Sequence, residues 1–246
     1  MLSRRYPLRM QPLIVGILPS QHETLMLNLF RTPSNRLLFL LLITDMVFVV
    51  MHIVLPRLGC DPFLFSLQAD LGLSEIFQYV KEFWIVILLV MVAIGQRKWV
   101  YGSWACLFLY LLLDDSLQIH ENLGVCLAEH FTLEPLLGLR ARDFGEIAVS
   151  AFFGGILFSL IIAAYFFSDA RARLVSRHLF FLVLCMAFFG IFVDMLHVAL
   201  PDVPGLAVLE DGGEMVVMSL IVWYVFNLEW ARSPSEVGGE ENDQVS

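Results

Sequence analysis

Long apolar blocks alternate with short polar segments along almost the whole chain. Each block holds roughly the 20 residues with which a helix crosses about 30 Å of hydrocarbon. The pattern predicts six transmembrane helices, over approximately 37–56, 78–95, 100–119, 146–168, 178–200 and 213–231. We expect an all-α, polytopic membrane protein, with a cytoplasmic segment at 1–36, a transmembrane domain at 37–231 and a disordered acidic tail at 232–246.

The composition supports this fold class. Of 246 residues 59% are hydrophobic and only 16% are charged, and the mean hydropathy is +0.77. A soluble domain of this length carries more charge. The lipid bilayer is therefore the first expected partner, while the oligomeric state does not follow from the sequence.

The basic residues predict the orientation, since cytoplasmic loops carry an excess of Lys and Arg. With the amino terminus inside, eleven basic residues lie in inner segments and four in outer ones. Both termini are then cytoplasmic, in a multi-pass protein of the inner (cytoplasmic) membrane. On this topology seventeen of the 24 acidic residues fall in the outer layer. That charge excludes nucleic acid as a partner there and favours cations.

Ionisable residues recur at the outer ends of the predicted helices. Helices 1, 3 and 5 leave the membrane through "HIVLP", "HENLG" and "HVALP", which begin at His52, His120 and His197. Helices 2, 4 and 6 open near Glu82, Glu146 and Glu214. The similar spacing predicts three pseudo-repeated helical hairpins, with all six residues near one level.

Helical geometry predicts which acids share a face with these residues, since each residue turns the helix by about 100°. Asp45 lies about 20° from His52, and Asp194 about 60° from His197. Asp211 lies about 60° from Glu214. Asp114 and Asp115 lie about 120° and 140° from His120, so neither is expected on its face.

Histidines with nearby carboxylates are typical of a divalent transition-metal site, with zinc as the first candidate. We expect metal binding by seven residues: His52, His120, His197, Asp45, Asp115, Asp194 and Asp211. Three glutamates are the expected catalytic bases: Glu82, Glu146 and Glu214. Bound zinc activates water, which predicts a hydrolase acting on a lipid or an amphiphile.

Other interpretations stay open at this point. Taken singly, a charge at a helix end is ordinary interfacial chemistry. Intramembrane acids and histidines also build proton or cation pathways, or a histidine pair can ligate haem. A non-enzymatic sensor or assembly protein is a further alternative. The apolar inner stretches "LVMVAIG" and "WYVFN" favour a one-sided site over a conduit.

Smaller features give two further expectations. Cys60 and Cys126 fall in predicted outer loops, which leaves a disulfide between them open. Gly154 and Gly155, within "AFFGGILFS", are expected to serve helix contact.

The pair of segments "LLLDDSLQIHENLG" and "LEDGGEMVVMSLIVW" resembles a group of uncharacterised bacterial multi-spanning proteins. Those proteins carry an acidic pair, then His-Glu, then an acid-rich start to a later helix. More distantly, the histidines and aspartates at helix ends resemble metal-dependent membrane hydrolases, which include alkaline ceramidases and progestin-receptor-like proteins. That resemblance implies lipid hydrolysis, although those proteins have seven helices and a paired-histidine motif that this chain lacks.

Overall fold

The chain folds into a bundle of α-helices joined by short loops. The computed structural model describes residues 32–230, apart from 60–62, 70, 137, 201 and 204. The predicted terminal segments thus lie almost entirely outside the described residues, as does Cys60 of the predicted disulfide. The helices are α1 (Pro33–Val54), α2 (Leu73–Gln96), α3 (Trp99–Leu117), α4 (Ile119–His130), α5 (Ala141–Phe166), α6 (Ala170–Ala187), α7 (Asp194–Ala199) and α8 (Leu206–Trp230).

Short turns and one wide helical segment complete the chain. Two 3-10 turns, Pro56–Leu58 and Phe63–Phe65, follow α1. A π-helical segment, Phe188–Val193, joins α6 to α7, so that Ala170–Ala199 forms one helical span. Most helices begin several residues before the predicted apolar blocks, because their first turns carry the polar residues that the hydropathy pattern leaves out.

Among the described residues, five helices are long and apolar enough to cross a membrane. These spans are Pro33–Leu58, Leu73–Gln96, Trp99–Leu117, Ala141–Phe166 and Ala170–Ala199. They correspond to the first five predicted blocks. The sixth block matches α8, whose opening turns carry Glu210, Asp211 and Glu214 and shorten its uninterrupted apolar part.

Helix α8 occupies the centre of the packing. It contacts α1, α2, α6 and the π-helical segment, while α3 lies between α2 and α5. Helix α1 packs mainly against α8 rather than against α2, so the first predicted hairpin is not a closely packed pair. The most deeply buried apolar side chains belong to α2, α3, α6 and α8; they include Leu89, Trp104, Leu179 and Ile221.

The half of the bundle opposite this apolar core is polar. We call it the acidic end: α1 and α3 end there, α2, α5 and α8 begin there, and α4 and α7 lie across it. All of the predicted site residues belong to helices at this end or to the half of a helix next to it.

Candidate functional site

A helix break places His120 beside Asp114. Helix α3 ends at Leu117, and Gln118 adopts a left-handed conformation with φ 51° before α4 starts at Ile119. The chain therefore turns back, and His120 Nδ1 lies 2.9 Å from Asp114 Oδ2. The expected separation of Asp114 from the face of His120 is wrong, because it assumed one continuous helix.

The residues around the break satisfy its free backbone groups. The carboxylate of Asp114 accepts a hydrogen bond of 2.9 Å from the backbone N–H of His120, in the first turn of α4. The side-chain amide of Asn122 donates to the carbonyl oxygen of Gln118 at 2.7 Å. Because unpaired groups at helix ends cost free energy when they are buried, these two side chains stabilise the break.

Close helix packing positions α4. An added Cβ at Gly145 of α5 would overlap the carbonyl oxygen of Gly124 in α4, and one at Gly124 would crowd Glu146. The two glycines thus let α4 lie directly on α5, with Glu146 next to the contact. This outcome agrees with the close packing that glycine permits.

Asp114, Asp115 and His120 form a potential metal-binding group. Each offers one ligand atom, and these atoms all lie within 4.8 Å of one another. Zinc bound at about 2.0–2.2 Å from carboxylate oxygen and imidazole nitrogen fits such spacing. The hydrogen bond to Asp114 raises the pKa of His120. If Nδ1 carries the proton, Nε2 keeps the lone pair that a metal needs.

Glu82 of α2 extends this group inside the bundle. Glu82 is only 1% exposed, and its carboxyl group lies next to that of Asp115. Its Oε2 atom is buried without a partner among the described residues, and so is Oε1 of Gln78. These residues are four apart and so lie on one face of α2. Buried oxygen atoms without donors are costly and typical of a site that binds a cation or a donor.

Two connected cavities meet at this cluster. The deeper one has a volume of ≈ 250 Å³ and the one at the acidic end ≈ 620 Å³. Both are lined by Gln78, Asp115, His120, Glu146, Gly190, Asp194 and Glu214. The metal-binding group therefore lies where a polar chamber joins a largely apolar one.

The polar chamber has an excess of negative charge. Glu210, Asp211 and Glu214 of α8 face it together with Asp194, and Oδ2 of Asp211 is buried without a partner in the described part of the chain. Its two arginines, Arg140 and Arg142, both pair with Asp143, at 2.8 Å and 3.8 Å. The remaining acids favour a cation in the chamber.

The π-helical segment makes room for Glu214. A Cβ at Gly190 would overlap the carboxylate of Glu214, so this position requires glycine as long as the glutamate faces the cavity. Wide turns of this kind are frequent at functional sites. Glu82, Glu146 and Glu214, the predicted bases, all line the deeper cavity.

Five of the seven predicted ligands lie outside the potential metal-binding group, and two of these, Asp194 and Asp211, line the polar chamber. Asp45 forms a buried ion pair with Lys81 at 3.1 Å and accepts a hydrogen bond of 2.6 Å from Ser219. The ring of His52 accepts a hydrogen bond of 3.1 Å from the backbone N–H of Leu67. His197 contacts Glu210 at 2.7 Å on the wall of the polar chamber. Of the three predicted histidine ligands, only His120 joins the group.

The sequence interpretation missed the roles of Gln78, Lys81 and Glu210. Lys81 had a recognisable signal, because a lysine inside an apolar run usually has a partner in the membrane. Gln78 precedes Glu82 by one helical turn, which is a weaker signal. Glu210 competes with Asp194 for His197, and only the three-dimensional arrangement decides between them.

The comparisons with known proteins place the chain in a family without assigning it a function. The model of a family described as a domain of unknown function (DUF8692) matches residues 24–229. No curated protein and no solved structure matches the chain. The family match fits the resemblance to uncharacterised multi-spanning proteins, whereas the resemblance to alkaline ceramidases gains no support. The chain belongs to the DUF8692 family.

Proposed function

We propose that this family member binds a divalent cation, zinc first, at Asp114, Asp115 and His120 and uses it to hydrolyse a lipid or an amphiphile. The observation that carries the proposal is the group of three ligand atoms within 4.8 Å, at the junction of the two cavities. The buried, unpartnered oxygen of Glu82 beside this group supports it independently.

The surroundings suit hydrolysis. Zinc with an open coordination position lowers the pKa of its bound water to about 7. A carboxylate next to that water then takes its proton. Glu82, Glu146 and Glu214 all face the deeper cavity and are the candidates for this base. The largely apolar deeper cavity offers space for the hydrocarbon part of a substrate.

Metal analysis of the purified protein tests the cation site. We expect one zinc, manganese or iron ion per chain after loading and removal of excess metal. His120→Ala should lower the affinity roughly tenfold or more. His130→Ala is the matched control, because His130 ends the same helix and lies exposed. If the wild type binds far less than one ion per chain with each of the three metals, the cation site is wrong.

Hydrolysis needs its own assay. Metal-loaded protein in mixed lipid vesicles should release fatty acid or head group, detected by mass spectrometry, and the products should be absent after treatment with a chelator. Glu82→Gln should lose the products while it keeps its metal if Glu82 is the base. Metal-loaded protein that leaves all lipids intact would overturn the enzyme but not the cation site.

We also propose that α8 is the sixth membrane span and that both termini face the cytoplasm, so that the acidic end lies outside. The excess of basic residues in the predicted inner segments supports this orientation. The 25-residue length of α8 supports the span, because its 25 residues extend about 37 Å at 1.5 Å each.

Transport is the second candidate function, and one observation favours it. The buried pair of Lys81 and Asp45 lies next to the cavity acids, since Glu82 and Glu214 act electrostatically on Lys81. Ionisable groups in such a row are typical of a proton relay. Beyond the pair, however, α2 continues with Ile85, Leu89 and Val92, all fully buried and apolar.

A further inference from the structure

The deeper cavity is a long slot along one face of α5. Glu146, Ser150, Gly154 and Phe158 line it and are spaced four residues apart. From Glu146 to Phe158 the helix rises about 18 Å at 1.5 Å per residue. The polar end of the slot is the potential metal-binding group, and the remainder has apolar walls from α3 and α6.

Aromatic rings lie at the far end of the slot. Phe158 packs edge-on against Trp104 of α3, with ring centroids 6.2 Å apart. It packs in the same way against Phe180 of α6 at 5.7 Å. Phe158 is therefore held by rings of α3 and α6 at this end of the slot.

The side of the slot is open between α5 and α6. These helices follow one another in sequence, yet they touch at few positions. Ile147 of α5 on one edge, and Ile191 of the π-helical segment that continues α6 on the other, line the slot and are still 37% and 43% exposed. No atom lies within 4 Å of a Cβ added at Gly154 or Gly155, so the expectation that these glycines serve helix contact is wrong within the described bundle.

We propose that this slot takes one hydrocarbon tail of a membrane lipid, which enters sideways between α5 and α6 and places its head group at Asp115, His120 and Glu146. The proposal rests on the proposed function and deepens it by stating how a lipid substrate binds. Both edges of the opening belong to candidate membrane spans, where lipid tails are the surrounding solvent.

The dimensions and the charge favour this occupant. One leaflet contributes about 15 Å of hydrocarbon, half of the roughly 30 Å core, which is close to the length of the slot. A volume of ≈ 250 Å³ suits one narrow tail rather than a pair of tails or a helix. The acid excess in the polar chamber favours a zwitterionic or cationic head group over an anionic one.

Photolabelling in vesicles tests the slot. The probe is a phosphatidylcholine with a photoactivatable diazirine in the middle of one tail, mixed into phosphatidylcholine vesicles. We expect labelled peptides to map to slot residues, among them Leu107, Leu111 and Met186. The labelling of these residues should exceed that of Phe152, which is 64% exposed on the outside of α5.

Two neighbouring glycines provide the matched variants. Gly154→Phe fills the slot and should abolish the labelling of its walls, whereas Gly155→Phe projects from an exposed position and should preserve it. Leu111→Trp narrows the slot from α3 and replaces Gly154→Phe if that variant does not fold. Equal labelling of the slot walls in the wild type, in Gly155→Phe and in the variant that fills the slot would overturn the proposal. Unlabelled walls in the wild type, as expected if the chain's own residues or a second copy fill the slot, would overturn it too.

Metal content in the same samples separates this proposal from the cation site. Gly154 lies about 12 Å along α5 from Glu146, so Gly154→Phe should keep the bound metal. If the metal stays and the labelling does not respond to Gly154→Phe, the slot alone is wrong. If the slot labels as expected in a wild-type protein that binds no metal, the slot stands and the cation site is wrong.

Discussion

At the scale of single residues, the buried pair of Lys81 and Asp45 links α1 to α2 and α8. The ammonium group of Lys81 also donates to the carbonyl oxygen of Met215 at 2.9 Å, and Ser219 of α8 bonds the other oxygen of Asp45. Three helices thus share one network, with Lys81 0% and Asp45 1% exposed. A charge in such a place is stable only while its partner is present.

The effect of breaking this pair can be measured. Lys81→Met leaves the carboxylate of Asp45 buried and should lower the free energy of unfolding by about 3–5 kcal/mol. The double variant Lys81→Met/Asp45→Asn removes the stranded charge and should recover most of the loss. Unfolding in detergent micelles provides the comparison. A double variant no more stable than Lys81→Met would show that packing around Lys81, rather than charge, decides the stability.

At the scale of helices, the crossing of α4 and α5 depends on two glycines. Gly145→Ala places a methyl group against the backbone of Gly124 and should cost about 1–3 kcal/mol of stability. It should also weaken metal binding, because α4 carries His120. Gly155→Ala is the control on the same helix, has open space, and should change stability by no more than about 1 kcal/mol, in the stabilising direction. Equal effects of the two alanines on unfolding would contradict a close crossing.

The helices also show what the sequence can and cannot predict. Five spans follow from hydropathy because the bilayer imposes their length and composition on the chain. The break at Gln118 does not follow, because neither glycine nor proline marks it. It depends on Asp114 and Asn122 bonding to the backbone across the turn, and both residues are equally compatible with a continuous helix end.

The same limit applies to the candidate site. The pattern of acids and histidines located the acidic end, and Asp115, His120, Glu82, Glu146 and Glu214 do line the deeper cavity. Which of these residues can bind the same metal ion depends on which side chains are already bonded to other groups. Lys81 occupies Asp45, Glu210 occupies His197, and a backbone N–H occupies His52. Angles around an ideal helix contain no information about these partners on other elements.

At the scale of the whole molecule, the number of membrane spans determines whether the two ends of α8 lie on the same side or on opposite sides of the membrane. Reporter fusions in the loop at 202–203 and after Arg232 should lie on opposite sides of the membrane, with the second in the cytoplasm. A fusion in the turn at 167–168, between α5 and α6, should also be cytoplasmic and serves as the control. Two fusions on the same side of α8 would leave five spans and contradict the sixth.

The whole molecule also distinguishes a one-sided site from a conduit. Past the deeper cavity, α2 continues with Ile85 and Leu89, and α8 continues with Ile221 and Val225, all of which are fully buried. A cation that enters the polar chamber thus meets packed hydrocarbon where a conduit requires polar groups. Protein in liposomes should therefore show no more proton or zinc flux than protein-free liposomes, as read by dyes inside the vesicles. Saturable flux that Asp45→Asn abolishes and His130→Ala leaves unchanged would instead assign the buried ion pair to a transport pathway.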